Sequence, residues 1–157
     1  MGYKIAQICL NGHIITGNVG GWRGESEKFC SNCGEKTIES CQECGGRIKG
    51  DYEAEWGYIA IDSAPYYCIN CGRPYPWTAT ILDNAVELVA FDDNLSLEQK
   101  ELIKTTFPDL IVETPTTPVA IAKYKKAIKD AQEPIRDGLK QLFAKVVTET
   151  VKKSLWG

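Results

Sequence analysis

Histidine is nearly missing from this sequence: one residue, His13, in 157. Mechanisms that pair a serine or cysteine with an imidazole base therefore have a single candidate. Long apolar runs are missing too. The longest uncharged stretch, Ile5 to Trp22, is interrupted by Gln7, Asn11, His13, Thr16, Asn18 and four glycines, which excludes the roughly 20 apolar residues of a membrane-spanning helix. Met1 to Leu10 has one lysine and a broken apolar run, unlike a secretory signal. Charge of one sign is not in large excess either, the net being −3. Finally, residues 79–157 have no cysteine. A cytoplasmic chain is expected, because seven cysteines are an odd number for a disulfide framework and most recur as CxxC.

Seven cysteines and one histidine are present before residue 72, and a tetrahedral ion takes four such ligands. They fall into pairs: Cys9-x3-His13, Cys30-x2-Cys33, Cys41-x2-Cys44 and Cys68-x2-Cys71. A two-residue spacer lets both thiolates face one ion. Gly34, Gly45 and Gly72 follow the CxxC pairs, where glycine permits the tight turn that aims N–H groups at sulfur. Four pairs combine into two sites in three ways. The loop Gly34 to Ser40 is short, and closing a short loop costs least entropy. Cys30, Cys33, Cys41 and Cys44 are therefore expected to form a first, all-cysteine site. Cys9, His13, Cys68 and Cys71 would form a second, mixed one. Joining Cys30 and Cys33 to Cys68 and Cys71 stays open as the alternative, since spacing alone does not decide connectivity.

The segment FCSNCGEKTIESCQECGG is similar to a short zinc ribbon. The first half as a whole, CLNGH, the two knuckles, then YYCINCGRPYPWT, resembles a family of small bacterial zinc-ribbon or treble-clef proteins known as a domain of unknown function. The resemblance covers most of the chain, implies zinc, and brings no catalytic residues with it. Two Zn2+ are expected, with iron the less favoured metal, because mixed cysteine and histidine sites usually hold zinc. Four protein ligands leave no open position, which marks structural rather than catalytic ions.

Short β-rich runs, Lys4–Leu10, His13–Thr16, Lys36–Glu39 and Tyr58–Ile61, read as short strands or knuckles between turns. After Pro74-Tyr75-Pro76-Trp77 the apolar period becomes helical. Helices are expected over about 79–90, from the Ser96/Gln99 capping box to Phe107 before Pro108, over about 118–131 behind Thr117-Pro118, and as one long helix from Ile135. Residues 108–118 would be an extended connector. The fold class expected is α+β: a zinc-ribbon or treble-clef-like double zinc module, residues 1–78, and a region of about four helices, residues 79–157.

Charge is uneven along the chain. Residues 81–113 carry a net −6 and residues 114–157 a net +5, so an acidic middle has a basic tail as an internal partner. The run Lys123 to Lys129 reads as a solvated helix face, and binding of phosphates is its other use. Glu25, Glu27, Glu35, Glu39 and Glu43 read as a solvated surface. Gly20-Gly21-Trp22-Arg23-Gly24 lacks the strand-then-helix setting of a phosphate loop. Tyr66, Tyr67, Tyr75 and Trp77 read as packing over a metal site, with base stacking as the alternative. The last helix ends in Leu155-Trp156, an anchor for the module, another copy in a homo-oligomer, or a membrane surface. The function expected is a zinc-binding adaptor or regulatory module that engages a protein through its helices. A nucleic-acid-binding zinc ribbon is the alternative, and a metal-dependent hydrolase or redox enzyme the distant one.

Overall fold

The computed structural model describes residues 2–22 and 26–157. Arg23 and Gly24 of the glycine-rich loop, and Glu25 of the acidic set, lie outside them. The fold is α+β, with two small antiparallel sheets and five helices among the described residues. Contacts divide the chain into two compact units, Met1–Thr80 and Ile81–Gly157.

In the first unit, β1 (Gly2–Ile5), β5 (Lys49–Ala54) and β6 (Gly57–Ile59) form one sheet in the order β1-β5-β6, and β2 (Gln7–Cys9), β3 (Ile14–Thr16) and β4 (Thr37–Ile38) form the other in the order β3-β2-β4. The run Lys4–Leu10 is thus shared between two strands. It breaks at Ala6, which is fully buried and donates its N–H to Ile48 O at 2.9 Å. Gly50 makes this crossing possible: a Cβ there would sit 2.2 Å from Gly17 O and 2.8 Å from Ala6 N. β5, with its polar KGDYEA sequence, has no apolar alternation to announce it. The core of this unit is small, formed by Ala6, Ile8, Ile38, Cys41, Ile48, Cys68, Tyr75 and Trp77.

The second unit is helical: α1 (Pro76–Ala90, which begins in the first unit), α2 (Leu97–Ile111), α3 (Thr117–Ile128), α4 (Glu133–Phe143) and α5 (Glu149–Trp156). α2 has the full capping box, with Gln99 N donating to Ser96 Oγ and Ser96 N to Gln99 Oε1. Two expectations are corrected here. α2 does not stop before Pro108 but passes through it, which narrows the connector to residues 112–116. Ile103, Phe107, Leu110 and Ile111 keep one helical stripe, each 2% exposed or less. Burial contributes about 1.5–3 kcal/mol per such side chain, more in sum than the roughly 3 kcal/mol that an interior proline costs. The expected long C-terminal helix is two helices, because Thr148 takes an extended backbone and caps α5 by accepting from Val151 N. Its hydroxyl also donates to the Glu113 carboxylate, and the preceding Val146-Val147 pair is a weak helix former.

Asp92, 1% exposed, accepts from Asn94 N at 2.7 Å, Leu95 N at 2.8 Å and Gln132 N at 2.7 Å. One carboxylate thus caps the α1–α2 turn and ties it to the start of α4. Asp92→Ala strands these donors, so chemical denaturation should show a loss of about 3 kcal/mol, with Asp92→Asn milder.

Candidate metal centres

The three CxxCG knuckles are built alike. The first cysteine donates its N–H to a carbonyl five residues on: Cys30 to Glu35 at 2.7 Å, Cys41 to Gly46 at 2.7 Å and Cys68 to Arg73 at 2.9 Å. The glycine N–H returns to the first cysteine, Gly34 to Cys30 at 2.7 Å, Gly45 to Cys41 at 2.8 Å and Gly72 to Cys68 at 2.8 Å. All three glycines have φ between +75° and +78° with nothing within 4 Å of a built Cβ. Torsion, rather than space, requires glycine there. An antiparallel bridge flanks each knuckle: Phe29 with Lys36, Ser40 with Arg47, Tyr67 with Pro74. The fourth pair sits on the β2–β3 turn, where Cys9 N donates to His13 O at 3.0 Å and Gly12 N to Cys9 O at 2.9 Å.

The pairs then converge, in a grouping that differs from the expected one. Cys9 and His13 meet Cys30 and Cys33, and Cys41 and Cys44 meet Cys68 and Cys71, with the ligand atoms of each group within 4.8 Å of one another. Cys30 and Cys33 therefore do not share a group with Cys41 and Cys44, nor Cys9 and His13 with Cys68 and Cys71. The reason is strand pairing. The segment after Cys33 is not a hairpin loop but runs into β4, which pairs with β2 through Ile8 with Ile38 and Cys9 with Thr37. Leu10 N also donates to Lys36 O at 3.0 Å. The entropy saved by a short loop is slight, since doubling a loop costs only about 0.6 kcal/mol.

Gln7, 5% exposed, holds this arrangement together. Its amide nitrogen donates to Glu27 O at 2.8 Å and Thr37 Oγ1 at 2.9 Å, and its carbonyl accepts from Glu27 N at 3.1 Å. Thr37 Oγ1 in turn donates to Glu27 O at 2.6 Å. The chain entering the first knuckle is thereby tied to both β2 and β4.

The spacing within each group fits a tetrahedral ion. Metal–sulfur bonds of about 2.3 Å at tetrahedral angles place sulfurs about 3.8 Å apart, and a sulfur and an imidazole nitrogen about 3.5 Å apart. Cys9 and Cys33 Sγ are 3.7 Å apart, Cys41 and Cys71 3.8 Å, Cys44 and Cys68 3.7 Å. His13 Nδ1 lies 3.4 Å from Cys9 Sγ and 3.6 Å from Cys30 Sγ. All seven cysteines are free, and these separations are far beyond the roughly 2.05 Å of a disulfide. Both groups are thus able to hold a metal ion, one with three sulfurs and an imidazole, the other with four sulfurs.

Amide N–H groups point at the sulfurs, as thiolate charge requires. His13 N donates to Cys9 at 3.3 Å, Gly46 N to Cys44 at 3.3 Å and Asn70 N to Cys68 at 3.4 Å. Two side chains not singled out from the sequence join them: Asn11 Nδ2 to Cys33 and Asn70 Nδ2 to Cys44, both at 3.4 Å. An asparagine inside CLNGH and another inside CINC were the available signal. The Glu35 N–H and then the Asn11 amide pull the Cys33 thiol down to about 6. The Cys71 N–H leads in bringing Cys68 to about 6, and the Asn70 amide leads in lowering Cys44. Burial raises Cys9. Of the aromatic segment, Tyr75 and Trp77 are buried against Cys41 and Cys68, their rings stacked with centroids 4.8 Å apart.

A family model described as an uncharacterized protein conserved in bacteria (DUF2321) matches residues 2–155. The chain belongs to that family. The DUF2321 match takes in all eight cysteine and histidine residues and reaches into α5. No curated protein and no solved structure matches the chain.

The grouping is open to a direct check. Replacing Cys30 and Cys33 by serine should leave one metal per chain, and cobalt substitution should show the remaining site with an all-sulfur spectrum. A mixed sulfur and nitrogen spectrum would overturn this grouping and place His13 with Cys41 and Cys44 or with Cys68 and Cys71.

Proposed function

We propose that this chain is a zinc-stabilised binding module, an adaptor or regulatory protein of the cytoplasm with two structural Zn2+ in a zinc-ribbon-like first unit. The carrying observation is that each group brings four protein donors within 4.8 Å, so tetrahedral coordination is completed without a position for substrate or activated water. The mixed donor set of Cys9, His13, Cys30 and Cys33 favours zinc over iron. With His13 used as a ligand, the chain keeps no imidazole for acid–base work. The first unit, with its small core, then depends on metal, because structural zinc contributes about 10–16 kcal/mol in small domains.

Partner binding is assigned to the helical unit. A groove of about 490 Å³ between α1 and α4 is lined by Leu88, Phe91 and Leu142, with Glu87 beside them, and Phe91 is 70% exposed. A protein segment with apolar anchors suits such a surface. Nucleic acid is the second reading. It is favoured by the β1-β5-β6 sheet, where Tyr3 and Tyr52 meet edge to face at 5.1 Å and Lys49 Nζ lies 4.2 Å over the Tyr3 ring. The exposed Lys123, Lys125 and Lys126 on α3, with Lys129 just after it, add to it.

Metal analysis should give two zinc per chain, and one or fewer would sink the two-centre reading. Chelation should unfold residues 1–80, while the helical circular dichroism of the second unit persists. Titration with a single-stranded oligonucleotide separates the two partner readings. Binding that weakens steeply with salt and with Lys49→Ala supports nucleic acid, and no binding at low salt leaves the protein-partner reading.

A further inference from the structure

One buried hydroxyl in the first unit has nothing to bond to. Tyr75 is 1% exposed, and among the described residues its phenolic oxygen has no hydrogen-bond partner. A hydroxyl removed from water without an acceptor is costly, and a phenylalanine would fill the same space without that cost. The ring is firmly placed. It stacks on Trp77, whose indole Nε1 donates to Pro65 O at 2.8 Å, and the Tyr75 N–H donates to Tyr66 O at 3.0 Å.

The surroundings supply an acceptor of a particular kind. Tyr75 belongs to the same buried cluster as Cys41 and Cys68. Burial first, and then Cys68, followed by Cys41 and Cys44, raise its phenol above the ordinary range. A protonated thiol is a weak acceptor, whereas a metal-bound thiolate is a strong one. Four thiolates on one divalent ion leave a formal charge of about −2, against about −1 for three thiolates and a neutral imidazole. The all-cysteine group thus has more charge to disperse. Cys68 is 2% exposed, so water is poorly placed to help.

We propose that Tyr75 is a positioning residue that donates its hydroxyl to the metal-bound Cys68 thiolate, making the Cys41, Cys44, Cys68 and Cys71 centre the slower of the two to release its metal. The inference rests on the two-metal reading above. Release begins when a thiolate leaves the ion and takes a proton. A hydrogen bond made to that sulfur would oppose its protonation and hold Cys68 in the orientation its ligand role needs.

Tyr75→Phe in the full chain removes only the hydroxyl and keeps the stack on Trp77. With two metals bound, zinc should transfer to a chromophoric chelator about 10-fold faster from one centre, with the other rate unchanged. In the cadmium-113 form, the four-sulfur resonance should move while the mixed-ligand resonance stays. Should the variant fold poorly, the wild-type cadmium protein carries the test alone: a slowly exchanging hydroxyl proton should correlate with the four-sulfur cadmium. Unchanged release rates with an equal or higher melting temperature would mean that the hydroxyl has no acceptor, and would overturn the proposal. Absence of the hydroxyl correlation would do the same. A wild-type chain with fewer than two metals overturns the two-metal reading itself, whereas two metals and an unaffected Tyr75→Phe overturn only this inference.

Discussion

The pairing of β2 with β4 governs the first unit. It places Thr37 opposite Cys9 and so brings the Cys30–Cys33 knuckle, just upstream of β4, onto the Cys9–His13 turn. The second group follows from the same event, since only the Cys41–Cys44 and Cys68–Cys71 knuckles are left to meet. Gln7 enforces the register from within, because a buried amide that bonds Glu27 through both its ends and Thr37 through its nitrogen tolerates no slip of either segment without losing several hydrogen bonds.

The two groups share the knuckle backbone and differ in their donor sets. Knuckle glycines, returning N–H bonds and flanking bridges recur three times with nearly the same geometry. The imidazole changes one group only. Each group exposes one side and buries the other, with Cys9, Cys30, Cys41 and Cys68 inside and the remaining ligand atoms on exposed residues. Asn11 and Asn70 serve as matching amide donors on the exposed sides. Both groups are able to hold a metal ion, in a unit whose apolar cluster has only eight buried side chains among the described residues.

The helical unit rests on ordinary burial, punctuated by polar groups placed where helices end. Phe107 and Phe143 pack with centroids 5.2 Å apart in its middle. The capping box at Ser96 and Gln99 was legible, because its signal is local. Asp92 was not, for two of its donors are nearby but the third, Gln132 N, is 40 residues away. Pro108 and Thr148 mislead in opposite directions for one reason. A local rule ended a helix that burial prolongs, and an apolar period prolonged a helix that a cap and a contact with Glu113 divide.

From sequence alone came the inventory of seven cysteines and one histidine, the three glycine-terminated knuckles, and the change from short strands to helices near Trp77. These are properties of spacing and composition, expressed over a few residues. Tertiary structure decided which knuckles meet, which asparagines face the sulfurs, and that the Tyr75 hydroxyl is enclosed beside Cys68. The first two depend on contacts between residues about 20 to 30 positions apart, whose energies come from strand pairing and burial that loop length does not reveal.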